Sequence, residues 1–76
     1  MSNESYTAIA EAQQGGVTAV IDGYCTFDPQ QAQKSGVDLS LLLVAQPADH
    51  EEAAEITEML IKSKAVDTIL VNCPAV

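Results

Sequence analysis

With 76 residues the chain holds one domain at most, of a size that buries only about 60–65% of its unfolded surface. A hydrophobic content of 47% excludes a disordered chain, and 4% aromatic content without Trp leaves Val, Ile, Leu and Ala to build the core. Eleven acids against three bases (Lys34, Lys62, Lys64) give a net charge of −8, which favours solubility and opposes binding to nucleic acid or anionic membranes, both of which call for a basic patch.

Ser5–Gln14 is predicted as a helix with Ala8, Ile9 and Ala12 on one face, capped by Ser5 or Asn3 and stopped by Gly15-Gly16. Val17–Asp22 is a continuous apolar, β-branched run, as in a strand buried on both faces. Asp28-Pro29 pairs an N-cap with Pro at the first helical position and starts a short helix, Pro29–Ser35, that ends at Gly36. Leu39–Ala45 reads as a second buried strand closed by Pro47. Asp49 caps a third helix through about Lys62, with Ala53, Ile56, Met59 and Leu60 inward and Glu51, Glu52, Glu55 and Glu58 outward. Val66–Asn72 is the third strand. The order αβαβαβ implies a parallel sheet with right-handed crossovers, in a single domain over 1–76 without linker or repeat. Each strand then runs into a polar knot at one sheet edge: Asp22-Gly23-Tyr24-Cys25, Gln46 to His50, and Asn72-Cys73-Pro74. That edge is where open α/β folds place ligands.

Two cysteines without a CxxC are too few for a disulfide scaffold. The first residues lack the basic and apolar regions of a signal peptide. No apolar run approaches the ~20 residues of a membrane span. A soluble, cytoplasmic protein is expected.

The segment Ala8–Val76 resembles the ATPase core of the RecA recombinase family. The resemblance is carried by Ile9-Ala10-Glu11-Ala12-Gln13, Ile21-Asp22 with Asp28-Pro29, Ala32 with Lys34, and Gly36-Val37-Asp38-Leu39. It continues without a gap through Leu42-Leu43, Gln46-Pro47, Glu51, Ala53, Glu55-Ile56 and Ser63 with Ala65-Val66-Asp67. It implies a stretch from just after the family's phosphate-binding lysine to the strand with the Walker B carboxylate. The Gly-rich loop GxxxxGK(S/T) that cradles a triphosphate is not in the sequence. By the resemblance, the family's catalytic glutamate falls on Tyr24 and its neighbouring histidine on Cys25. The Walker B aspartate falls on Asn72, the serine after it on Cys73, and an adenine-stacking tyrosine on Gln31. Asp28, near the family's adenine pocket, is kept. A preserved core with a rewritten edge is the pattern of an engineered or strongly diverged fragment.

The resemblance also implies the strand order 2-1-3, with the first two helices on one face and the third alone on the other. The thinly covered face and the two open edges lead us to expect a homo-oligomer, a dimer formed through a sheet edge or that face. Neither nucleic acid nor membrane is expected as a partner.

The residue types at the edge admit three chemical readings besides plain packing. Cys25, His50 and Cys73 are zinc-ligand types that Asp22, Asp28 or Asp49 would complete, but they lack the paired spacing of zinc modules. Cys, His and Asn72 are the types of a thiol-nucleophile site, without that family's order. Cys25 and Cys73 follow neighbouring strand ends and would suit a disulfide, which a cytosolic setting opposes. Against these stand bland roles: small apolar cysteines, a loop histidine, Tyr24 capping the core, and Asp22, Asp28 and Asp49 as loop and helix-cap acids. Phosphoryl transfer needs a phosphate cradle, a metal site and a water-orienting group together. The expected function is therefore a non-catalytic, self-associating RecA-like scaffold, without ATPase activity or cofactor. The alternatives are residual nucleotide binding or a DNA-recombination role as a fragment, and a metal or thiol site at Cys25, His50 and Cys73.

Overall fold

The computed structural model describes residues 1–74; the last two residues of the expected domain lie outside them. Three helices and three strands follow one another: α1 (Asn3–Ala12), β1 (Thr18–Asp22), α2 (Pro29–Lys34), β2 (Leu42–Ala45), α3 (His50–Ser63) and β3 (Thr68–Asn72). The strands form one sheet of order β2-β1-β3, parallel throughout, as expected. Thr18 pairs with Leu42 on one side and Thr68 on the other, which sets the register of all three strands.

Local chemistry explains most element ends. Asp28 accepts from the Gln30 N–H and precedes Pro29, so α2 starts as expected. Asp49 accepts from the Glu52 N–H at 2.8 Å and starts α3. The first helix begins two residues before the expected span: Ser2, rather than Ser5 or Asn3, is its N-cap, accepting from the Ser5 N–H. It ends in a 3-10 turn over Gln13–Gly15. Gly16 follows at φ 130°, a backbone that favours glycine, and a Cβ there would lie 2.0 Å from the Asp67 carboxylate oxygen that caps the Val17 N–H.

The second strand is shorter than expected. Leu39–Leu41 forms a 3-10 turn because Asp38 accepts from both the N–H and the hydroxyl of Ser40, closing a local turn that competes with the ladder. The third strand likewise starts at Thr68, not Val66, since Val17 C=O accepts from both Asp67 and Thr68 N–H at the sheet's lower edge.

Burial is uneven. Every residue of β1 is buried, as its composition predicts. On the face carrying Val20, α1 and α2 build the core from Tyr6, Ile9, Ala32 and Val37, with Leu42, Leu70 and Phe27 packed against it. Tyr6, absent from the predicted apolar face of α1, is its largest fully buried side chain; its ring meets Phe27 edge-on at 5.8 Å and its hydroxyl accepts from the Asp28 N–H. Ala8, expected inward, is exposed. By alternation Ala19 and Ile21 project to the opposite face, where α3 lies. Ala53 is the one buried residue of α3, and Met59, expected inward, is 68% exposed. At about 100° per residue Met59 stands roughly 120° around the helix from Ala53. β2 is not buried as expected, Leu43 being 47% exposed; Val71 of β3 is 62% exposed, and both fit the expected thin cover of the face that carries α3 alone.

Candidate functional site

The three strand ends do converge at one edge. β1 leads into a turn in which Cys25 N–H donates to the Asp22 C=O and Cys25 takes a left-handed backbone at φ 55°. Gly23 N–H donates to the Asn72 C=O at 2.8 Å, tying that turn to the end of β3. A Cβ on Gly23 would sit 2.8 Å from Cys73 Sγ, so glycine is needed for the two strand ends to close. Cys73 Sγ is itself 3.8 Å from the Ile21 C=O, within reach of a weak S–H bond.

The candidate residues separate into two places. His50, the first residue of α3 rather than a loop residue, and Cys73 line a cleft of about 260 Å³ with Gly23, Pro47, Ala48 and Asp49. Tyr24 and Cys25 are exposed on the turn beyond that cleft, and Asn72 faces a different hollow beside Met1, Ile9 and Leu70. Both thiols are free, so the proposed bridge between Cys25 and Cys73 is not formed. Among the described residues no three His, Cys, Asp or Glu side chains gather closely enough to share a metal ion. Cys25, His50 and Cys73 thus do not form the three-ligand centre considered from sequence.

The chemically richest group at this edge is Asp22, which is fully buried. Its carboxylate accepts from Phe27 N–H at 2.8 Å, and from Thr26 Oγ1 and Gln46 Nε2 at 3.4 Å each. It pins the turn carrying Tyr24 and Cys25 to the ends of β1 and β2. Asp28 and Asp49 cap helices, as the sequence suggests. The sequence marks Gln46 as the start of the second polar knot and as part of the resemblance, but not as a partner of Asp22. No Lys or Arg occurs in residues 22–28, 46–50 or 72–74, so the only basic side chain at the edge among the described residues is His50.

This is an open parallel α/β sheet whose strand ends meet at one polar edge. The family model of the RecA N-terminal domain matches residues 3–76. Protein RecA of Rhodopirellula baltica is 54% identical over 67 residues, covering 87% of this chain and 18% of that protein. Protein RecA of Chlorobium chlorochromatii is 48% identical over 68 residues, with 88% and 19% covered. That of Chloroflexus aggregans is 53% identical over 68 residues, with the same coverage. The chain belongs to the RecA family, and it spans about a fifth of the length of the curated relatives it matches. No helix among the described residues is long and apolar enough to cross a membrane.

Proposed function

We propose that this chain is a non-catalytic module of the RecA family, one that folds and associates with copies of itself but does not hydrolyse ATP. The observation that carries this is the engagement of the edge carboxylates. Asp22 is buried under three donors, Asp28 caps α2 and Asp49 caps α3. A magnesium-bound triphosphate needs a free carboxylate for the metal and donors or cations for the phosphates. The resemblance puts Tyr24 and Asn72 where the family has its catalytic glutamate and Walker B aspartate, which agrees with this reading. The self-association rests on the uncovered apolar residues Leu43 and Val71 and on the two open sheet edges.

Calorimetric titration with ATP and magnesium is expected to show no saturable binding up to about millimolar nucleotide, an affinity weaker than about 4 kcal/mol. Phosphate release should stay at the buffer rate. Micromolar binding, or magnesium-dependent hydrolysis, would overturn the reading.

A second reading takes the chain as the corresponding part of a longer RecA protein, serving a recombination role with the remainder. About 50% identity over nearly all of the chain favours it. It requires that this segment, transplanted into Protein RecA of Rhodopirellula baltica, preserve the ATP hydrolysis that the family resemblance implies; the first reading expects the chimaera to be inactive.

A further inference from the structure

The self-association proposed above has a definite geometry available to it at the β3 edge. β3, Thr68-Ile69-Leu70-Val71-Asn72, carries no charged side chain. Thr68 N–H donates to Val17 C=O and Asn72 C=O accepts from Gly23 N–H, so the even-numbered residues turn their backbone groups toward β1. By alternation the N–H and C=O of Ile69 and Val71 face away from β1, where no strand of the described residues lies. Asp67 N–H is held by Val17 C=O, which bounds the outward-facing stretch at its start.

Apolar hollows flank this edge on both faces of the sheet. On one face a groove of about 440 Å³ runs between β3 and α3, lined by Ala54, Thr57, Ile61 and Val71. On the other a hollow of about 180 Å³ lies between β3 and α1, lined by Met1, Ala8, Ile9 and Leu70. β2, the opposite edge, is one residue shorter. Charge selects the same side. The larger groove carries one acid, Glu58, and two basic side chains, Lys62 and His50, with Glu58 and Lys62 already paired at 2.8 Å. The outer side of α3, with Glu51, Glu52 and Glu55, would set acid against acid between two copies of a chain with net charge −8.

We propose that β3 is the dimer interface: a second copy of this chain adds to it antiparallel, across a two-fold axis at Leu70. Ile69 then faces Val71 of the second copy and the reverse, each pair exchanging both backbone bonds, and Leu70 faces itself as the non-hydrogen-bonded pair. The result is one continuous six-stranded sheet.

This inference rests on self-association, and the test separates the two. Amide exchange of the unmodified chain is followed at low and high concentration, together with its mass by sedimentation equilibrium. A dimer is expected, with protection at Ile69 and Val71 rising about tenfold as dimer forms and β2 amides unchanged. Val71→Lys, at an already exposed position, is expected to raise the dimer dissociation constant about a hundredfold while circular dichroism stays native; Leu43→Lys leaves the dimer intact. A dimer whose Ile69 and Val71 protection ignores concentration overturns the β3 interface but not self-association, as does a dimer lost in Leu43→Lys alone. A monomer at about 1 mM overturns both.

Discussion

Replacing Asp22 by alanine removes the acceptor on which the turn between β1 and α2 depends. The bond from Phe27 N–H is short at 2.8 Å, and the two from Thr26 and Gln46 are long at 3.4 Å. A hydrogen bond to a charged acceptor is worth about 1.5–3 kcal/mol, and the Phe27 N–H left without a partner in a part-buried place adds to the cost. The two long bonds contribute a few tenths each. Asp22→Ala should therefore destabilise by about 3 kcal/mol, a large part of the roughly 4–11 kcal/mol available to a domain this small. Asp22→Asn keeps an acceptor for Phe27, and Thr26 and Gln46 can reorient, so it should cost about 1 kcal/mol. Urea unfolding followed by circular dichroism at one fixed protein concentration reads both, with a slope near 1 kcal/mol/M placing the Asp22→Ala midpoint about 3 M lower. An Asp22→Ala variant within about 0.5 kcal/mol of the parent would refute the reasoning, since that is the range of an uninvolved surface site.

Thr18 has a fully buried hydroxyl without a hydrogen-bond partner. Thr18→Val keeps the branched shape and removes the unsatisfied group, so it should stabilise by about 1 kcal/mol and raise the melting temperature by about 4–8 °C in calorimetry. Asp38 is held below its ordinary value of 3.8, first by the Ser40 hydroxyl and then by the Ser40 N–H. Its folded value being depressed, the stability it lends is present above the unfolded value and is lost as pH falls through the folded one. An NMR titration should find the Asp38 carboxyl midpoint below 3.8, and Ser40→Ala should move it back upward.

Most of the fold could be read in the sequence where local chemistry decided it. The β-branched run of β1 fixed a buried central strand, and Asp28-Pro29 and Asp49 fixed two helix starts. The errors fall where distant contacts decide. Asp38 turns Leu39–Leu41 into a 3-10 turn, and Asp38 is itself positioned by Gln13, whose side chain bonds both its N–H and its C=O from 25 residues away. Tyr6 joins the core because Asp28 supplies its hydroxyl with a donor, a pairing that no spacing within α1 reveals. The site was legible as a location and less so as chemistry. The three strand ends meet as expected, but the left-handed turn at Cys25 carries that thiol away from the cleft that holds Cys73 and His50.

The unequal faces of the sheet connect the fold to the proposed way of working. One face is covered by the cluster of Tyr6, Ile9, Ala32 and Val37, which leaves apolar surface at Val44 and in the hollow beside Leu70. The other has a single buried α3 residue, Ala53, and leaves Ile61, Leu43 and Val71 at 63%, 47% and 62% exposed. These exposed residues flank both edges of the sheet, where β2 and β3 each pair on one side only among the described residues. Relatives about five times longer have further chain with which to cover such surface. A second copy of this chain supplies a strand of equal length and no charge. The carboxylates of the polar edge are thus engaged within the fold, while β3 keeps an uncharged edge to which that strand can add.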